Sequence, residues 1–419
     1  MFDYDRPESF DVNVSYHAHA GFNFRGRGLL TWKPDEGLNI EAFSSTGAKP
    51  KRWNFSSGKV QVLSVEEARS LRIQIPGFGW GIVPNNFLKH QENEIEQGRI
   101  SIAPEEIYFF HPIPYAKSNE WWCGNALYAI SEELEFPDKV QSETKINDQV
   151  VEGRSSGGLW LDDDADIGLT GRNLSKTRFQ LSWSLSKERW TKTECWKFGE
   201  TARRALSIIF GQTIRLLRQD ARRGGYELTM LRTKKDVDKL NSFHCPMNDS
   251  RPLLEQWALN KTLFVQLVRS FQKKEDTSRV CYTIFLQMAE ASRQKSWEGR
   301  ELLLSTILEA ALRTIDKHPF RPKDHSWKIR QSMASFQAKY LSDKWSKSCE
   351  RAIHARDNLR HRNAHPDWLV TAGGAQSNEA WCRSMEDISF LSQFYGYLIL
   401  VLAGVQNLEP KFRQLEFDR

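Results

Sequence analysis

The chain has little of what most quickly places a protein. Its six cysteines, Cys123, Cys195, Cys245, Cys281, Cys349 and Cys382, are scattered over 419 residues without a CxxC pair. That spacing suggests neither a zinc ribbon nor a disulfide framework and predicts reduced, mostly packed thiols. No phosphate-binding loop with GK before Ser or Thr occurs, and Gly77-Phe78-Gly79-Trp80-Gly81 lacks the strand-then-helix setting of a dinucleotide fingerprint, so nucleotide hydrolysis is not expected. Long apolar runs are missing too. The most apolar stretch, Phe390 to Val405, is broken by Ser392, Gln393 and Gly396, which fits a buried helix better than a membrane span. The first residues, Met1-Phe2-Asp3-Tyr4-Asp5, are acidic and aromatic, unlike a secretory leader. These absences together predict a cytoplasmic protein with no membrane partner. There is no internal repeat and no long low-complexity tract.

What is present suffices for several cores. Apolar residues make up 40% of the chain and 15 are tryptophan, and a chain of this length divides into two or three folded units. The net charge of +6 is unevenly placed. From Arg251 to His365 there are 22 Lys and Arg against 12 Asp and Glu, a segment charge of +10, so the remainder sums to −4. Such a segment suits a polyanionic partner, or else a solvated basic helix face.

Residues 1–140 read as an antiparallel β-rich domain. Leu29 to Trp32 and Leu38 to Phe43 flank Lys33-Pro34-Asp35-Glu36-Gly37, a turn signal that makes a hairpin. Val60 to Val65 and Leu71 to Ile75 alternate apolar and polar residues, as half-buried strands do. Residues 141–252 read as a mixed lobe that completes the N-terminal half. It opens with a polar linker or long loop between about 140 and 180 carrying the acidic cluster Asp162-Asp163-Asp164-Ala165-Asp166, which lacks the ligand spacing of an EF-hand loop and is expected to be solvated. A strand over Phe179 to Leu185, a helix from Trp196 to Phe210 stopped by Gly211, and strands over Thr213 to Leu217 and Glu227 to Leu231 follow. Residues 253–419 read as helices: Gln256 to Gln272, Val280 to Lys295, Trp297 to Ile315, Trp327 to Leu341, Trp345 to about His361, and Met385 to Ala403. The fold class is thus multidomain α+β, β-rich first and all-α last.

Near the end of the fifth of these helices lies Arg360-His361-Arg362-Asn363-Ala364-His365-Pro366. Two imidazoles and two guanidiniums in seven residues suit phosphodiester chemistry, since histidine moves protons near neutral pH and arginine holds a phosphate. Pro366 biases His365 out of helical geometry, so the run sits where helix gives way to loop. The alternative reading is an exposed helix end decorated with solvated Arg and His.

A helical bundle whose penultimate long helix ends in Arg, a polar residue, three more residues and His resembles the HEPN superfamily, and Arg360 to His365 fits that motif. The final apolar helix and the helix bearing Glu309 are also similar to that family. With a β-rich region in front, the chain resembles in particular the ApeA-like abortive-infection proteins of bacterial antiphage defence, firmly over about 256–419 and loosely before that. The resemblance implies a C-terminal HEPN bundle, a metal-independent and cofactor-free endoribonuclease acting as a homodimer through the helical domain, and an N-terminal half that senses a phage-derived trigger. The substrate would be RNA, with tRNA among the candidates. Arg360, His361 and His365 would be catalytic, and Arg356, Arg362 and Asn363 would bind RNA. Alternatives are a non-catalytic RNA- or nucleotide-binding module, a protein-interaction scaffold, and a toxin paired with an antitoxin.

The chemistry itself follows from the residues. RNA carries its own nucleophile, the 2′-hydroxyl, so cleavage needs a base, an acid for the leaving 5′-oxygen, and cations for the phosphorane. On a straight helix residues five apart point roughly 140° from each other, so Arg360 and His365 do not serve one phosphate from one undistorted helix. Either the last turn relaxes at Pro366, or Arg360 works with a partner protomer's histidine. Arg356-Asp357-Asn358-Leu359-Arg360-His361 satisfies the same pattern, and the later register is preferred for its place at the helix exit. Asn363 would bond a phosphate or cap the helix. Glu309 would be an ordinary exposed residue at the edge of an apolar stripe, the favoured reading, or would orient Arg360. His354 would border the cleft or be surface, and Trp121, Trp122 and Trp160 would stack on bases or, as the composition favours, fill cores.

Overall fold

Among the described residues twelve strands, every neighbouring pair antiparallel, form the sheet of the N-terminal part. The computed structural model describes residues 6–17, 23–33, 36–44, 71–76, 79–83, 99–104, 106–112, 122–130, 145–146, 149–150, 167–185, 192–211, 213–223, 226–232, 263–294, 296–316, 325–364, 375–405, 408 and 412. The strands are β1 (Glu8–His17), β2 (Asn23–Lys33), β3 (Gly37–Phe43), β4 (Leu71–Ile75), β5 (Gly79–Val83), β6 (Arg99–Ile102), β7 (Glu106–Pro112), β8 (Trp122–Ala129), the short ribbon β9 (Lys145–Ile146) and β10 (Gln149–Val150), then β11 (Ile167–Ser175), β12 (Arg178–Leu185), β13 (Arg215–Arg223) and β14 (Tyr226–Arg232). Across the main sheet their order is β11-β12-β8-β13-β14-β7-β5-β4-β1-β2-β3-β6.

Alternation decides which face is buried. Val12, Val14, Phe24, Leu30, Trp32, Leu38, Ile40, Ala42, Leu71, Ile73, Ile100 and Ile102 are all inside, while Asn13, Arg25, Arg27, Leu29, Glu41, Phe43 and Arg99 are exposed, the period-two pattern of a half-buried strand. The hairpin expected at Lys33 to Gly37 is present: Lys33 lies opposite Gly37, whose φ of 89° is open to glycine without strain. Within β2, a Cβ on Gly28 would sit 1.9 Å from the Glu41 carbonyl oxygen, so only glycine lets β3 approach.

The sheet crosses the expected boundary near residue 140. β12 and β13 pair with β8 on either side, Leu127 opposite both Gln180 and Arg218, and β14 pairs with β7. The expected linker between 140 and 180 also contains β11, whose Gly168 and Gly171 weaken its own strand signal and whose partner β12 supplies the ladder. The strand expected over Val60 to Val65, the Asp162 to Asp166 cluster, Trp121 and Trp160 lie outside the described residues. Trp122 opens β8.

The chain divides into two units. One comprises Met1–Ala129, Asp162–Gly199 and Arg215–Lys239; the other comprises Ile130–Leu161, Glu200–Ile214 and Leu240–Arg419. The second is helical: α1 (Lys192–Phe210), divided between the units at Gly199, then α2 (Leu263–Lys273), α3 (Glu275–Arg293), α4 (Trp297–Asp316), α5 (His325–Tyr340), α6 (Ser346–Ala364) and α7 (Ala375–Leu402). The described part of the molecule is therefore mixed α+β, antiparallel sheet first and helices after.

The centre of the helical unit is α7. Every residue from Phe390 to Val401 is buried, each large apolar side chain worth about 1.5–3 kcal/mol relative to exposure. Cys281 on α3 donates to the Ile399 carbonyl, Tyr395 donates to that of Leu304 at 2.6 Å, and Trp345 stands edge-on to Tyr397. The helix stops at Gly404, φ 83°, where the Val405 amide donates to Leu400 O and the Gly404 amide to Val401 O, a Schellman closure. Among the described residues no helix is long and apolar enough to cross a membrane.

Candidate functional site: a shared carboxylate at the end of α6

Cys349, Ala352, Ile353, Arg356 and Leu359 form the buried stripe of α6. Their spacing of three and four residues is that of a core-facing helix side, and Arg356 occupies one of its slots. A guanidinium held there, at 2% exposure, requires a charged partner, because a lone buried ion is far costlier than a paired one. Two carboxylates meet it. Nη1 donates to Asp357 Oδ1 at 2.5 Å and Nη2 to Glu309 Oε2 at 3.3 Å, while buried Nε has no hydrogen-bond partner among the described residues.

Glu309 lies on α4, at the edge of the stripe Leu304, Ile307, Leu308, Ala311 and Leu312. It is not the ordinary exposed residue that the stripe favoured, since its side chain is 13% exposed and it serves three arginines. Oε2 also accepts from Arg360 Nη1 at 3.2 Å, and Oε1 accepts from Arg313 Nη2 at 2.5 Å. Arg356 and Arg360 reach one oxygen because residues four apart share a helix face. With Asp357 included, three guanidiniums face two carboxylates and the cluster keeps a surplus positive charge.

At an effective dielectric of about 20, a contact of this length contributes about 5 kcal/mol before desolvation. Stripping water from Arg356 offsets several of these. What the pairing secures is position: α4 and α6 are locked at one level, and Arg360, 42% exposed, is held with its guanidinium against Glu309 instead of sweeping through solvent.

The remaining expected residues fall as follows. His361 and His354 are exposed on α6. Asn358, between them, donates to Asp387 on α7 at 3.3 Å. Arg362 and Asn363 belong to the last turn of α6, which ends at Ala364, and His365 lies outside the described residues. Sequence reasoning missed Arg313 and the part played by Asp357. The signals existed: Glu309 and Arg313 are an i,i+4 pair, and a charged residue in an apolar stripe slot asks for a partner. Among the described residues no group of three or more His, Cys, Asp or Glu could hold a metal ion.

Comparison with known proteins finds no counterpart for this arrangement: no protein-family model matches the chain, and neither does any curated protein or solved structure.

Proposed function

We propose that the helical unit is a HEPN-type, metal-independent endoribonuclease of antiphage defence, with the N-terminal half as its regulator. The observation that carries this reading is Arg360, held by Glu309 yet open to solvent, next to exposed His361 in the last turns of α6. The difference in burial favours the later motif register, because Arg356 is enclosed and doubly paired whereas Arg360 can meet a phosphate. A histidine base takes the proton of the ribose 2′-hydroxyl, whose oxygen attacks the adjacent phosphorus. Arg360 balances the charge on the phosphorane, and a second histidine protonates the departing 5′-oxygen. His361 and His365 are assigned these proton transfers. The products carry a 2′,3′-cyclic phosphate and a 5′-hydroxyl.

A second reading has its own observation. Glu309 already holds the Arg360 guanidinium, as suits a bundle that binds RNA or nucleotide without cutting. The two separate when pure protein is mixed with total RNA in EDTA. The endoribonuclease cuts, and Arg360→Ala and His365→Ala each stop it. Salt-sensitive binding without cleavage selects the binding module, and cutting that survives both substitutions removes the assignment.

A further inference from the structure

We infer that the solvent face of β4, β1, β2, β3 and β6 is a binding site for unpaired, single-stranded nucleic acid. One row of directly opposed residues crosses these five strands. Gln74 faces Asn13, Asn13 faces Arg27, Arg27 faces Phe43, and Phe43 faces Arg99. All five are exposed. Neighbouring strands lie about 4.8 Å apart, so the row spans about 19 Å, long enough for a short run of nucleotides.

β3 turns Leu38, Ile40 and Ala42 inward, which leaves Asn39, Glu41 and Phe43 on the outer face. At 55% exposure Phe43 is the most exposed of the exposed large apolar side chains among the described residues. The Arg99 guanidinium carbon is 5.8 Å from the ring centroid, within reach of a cation–π contact. Arg27 is its direct cross-strand neighbour on the other side. Among the described residues neither Arg27 nor Arg99 forms an ion pair, although Glu41 and Asp11 stand one row away on the same face.

An aromatic ring flanked by cations, with amide groups farther along the row, is the equipment that holds a single strand. Bases stack on the ring, phosphates pair with the guanidiniums, and Asn13 and Gln74 offer donors and acceptors to base edges. A protein partner is less well matched. Interface anchors are clustered apolar and aromatic side chains, whereas among the described residues Phe43 and Leu29 are the large apolar ones exposed on this face. The charges also set a direction: Asp11 and Glu41 lie one row away on one side of Arg27, so the phosphates run on the other side. The site is independent of the chemistry proposed for the helical unit.

The test is fluorescence anisotropy of the full chain with a labelled, unstructured single-stranded DNA, its RNA counterpart and the DNA duplex. DNA lacks the 2′-hydroxyl, so cleavage does not interfere with that arm. Both single strands bind and the duplex binds at least about tenfold more weakly. Phe43→Ala weakens single-strand binding by about tenfold, Phe43→Trp preserves it, and Phe43→Leu, which keeps bulk without a π face, behaves like alanine. Arg27→Gln and Arg99→Gln each flatten the salt dependence of log K by about 0.7. Affinity indifferent to Phe43→Leu and to both arginine substitutions overturns the assignment. So does an acidic peptide that competes as well as the single strand, which would make the face a protein-docking surface.

Discussion

Arg356 occupies a helix position that the pattern reserves for an apolar side chain, and Glu309 is what makes that tolerable. Removing Glu309 leaves the buried Arg356 with Asp357 and takes a carboxylate from Arg313 and Arg360, while removing Arg356 leaves Glu309 still paired with Arg313 and Arg360. Glu309→Ala is therefore expected to cost about 1–3 kcal/mol and Arg356→Met less, both measured by urea denaturation; equal losses would show that the shared carboxylate is not what makes Glu309 important. The thiols give a second test at this scale. Burial pushes Cys281 up to about 12 and Cys349 up to about 11, from an ordinary 9.0. A folded pKa above the unfolded one means that the fold favours the protonated thiol. Its stabilisation is complete below about pH 9 and fades as pH rises through 11 to 12. Alkaline titration followed by circular dichroism should show that loss, reduced in a Cys281→Ala, Cys349→Ala variant; a variant with the same alkaline profile as the parent would contradict it.

Elements test backbone geometry more directly than charge. A Cβ on Gly404 meets nothing within 4 Å, so strain at φ 83° is the whole cost of an alanine there, about 1–2 kcal/mol. Leu398→Ala in the same helix opens a cavity in the core and should cost about 2–5 kcal/mol. Thermal melts of the two variants rank them, and the reverse order would refute a central, tightly packed α7. Helices and local hairpins were legible in the sequence because their signals lie within one turn or one loop. The expected Trp297 to Ile315 and Trp327 to Leu341 fall within a residue or two of α4 and α5, and the expected Leu71 to Ile75 strand is β4. β11 was not legible, since its hydrogen bonds come from β12 and its own residues carry two glycines. In the candidate site the motif was visible as a string, but the Glu309 contacts join residues 47 and 51 positions apart. No local pattern encodes which of two charged helices will meet at that level.

For the whole molecule, the relation between Arg360 and His365 becomes an assembly question. If each active centre takes its arginine from one protomer and its histidine from another, mixing the inactive Arg360→Ala and His365→Ala proteins should restore part of the RNA cleavage. Mixtures as inactive as their components would place both groups on one chain. The order of the sheet has a consequence for how the molecule is made. β7 pairs with β5 on one side and β14 on the other, while β8 lies between β12 and β13. During synthesis the first seven strands can assemble as they emerge, but one border of that assembly waits for residues 226–232. β8 likewise waits for strands made more than forty residues later. Domains fold in the order in which the ribosome delivers them, so the helices carrying Glu309 and Arg360 leave the ribosome after every strand of the sheet. Under the function proposed above, the regulator would then be complete before the part it restrains exists, and no separate antidote would be needed during translation.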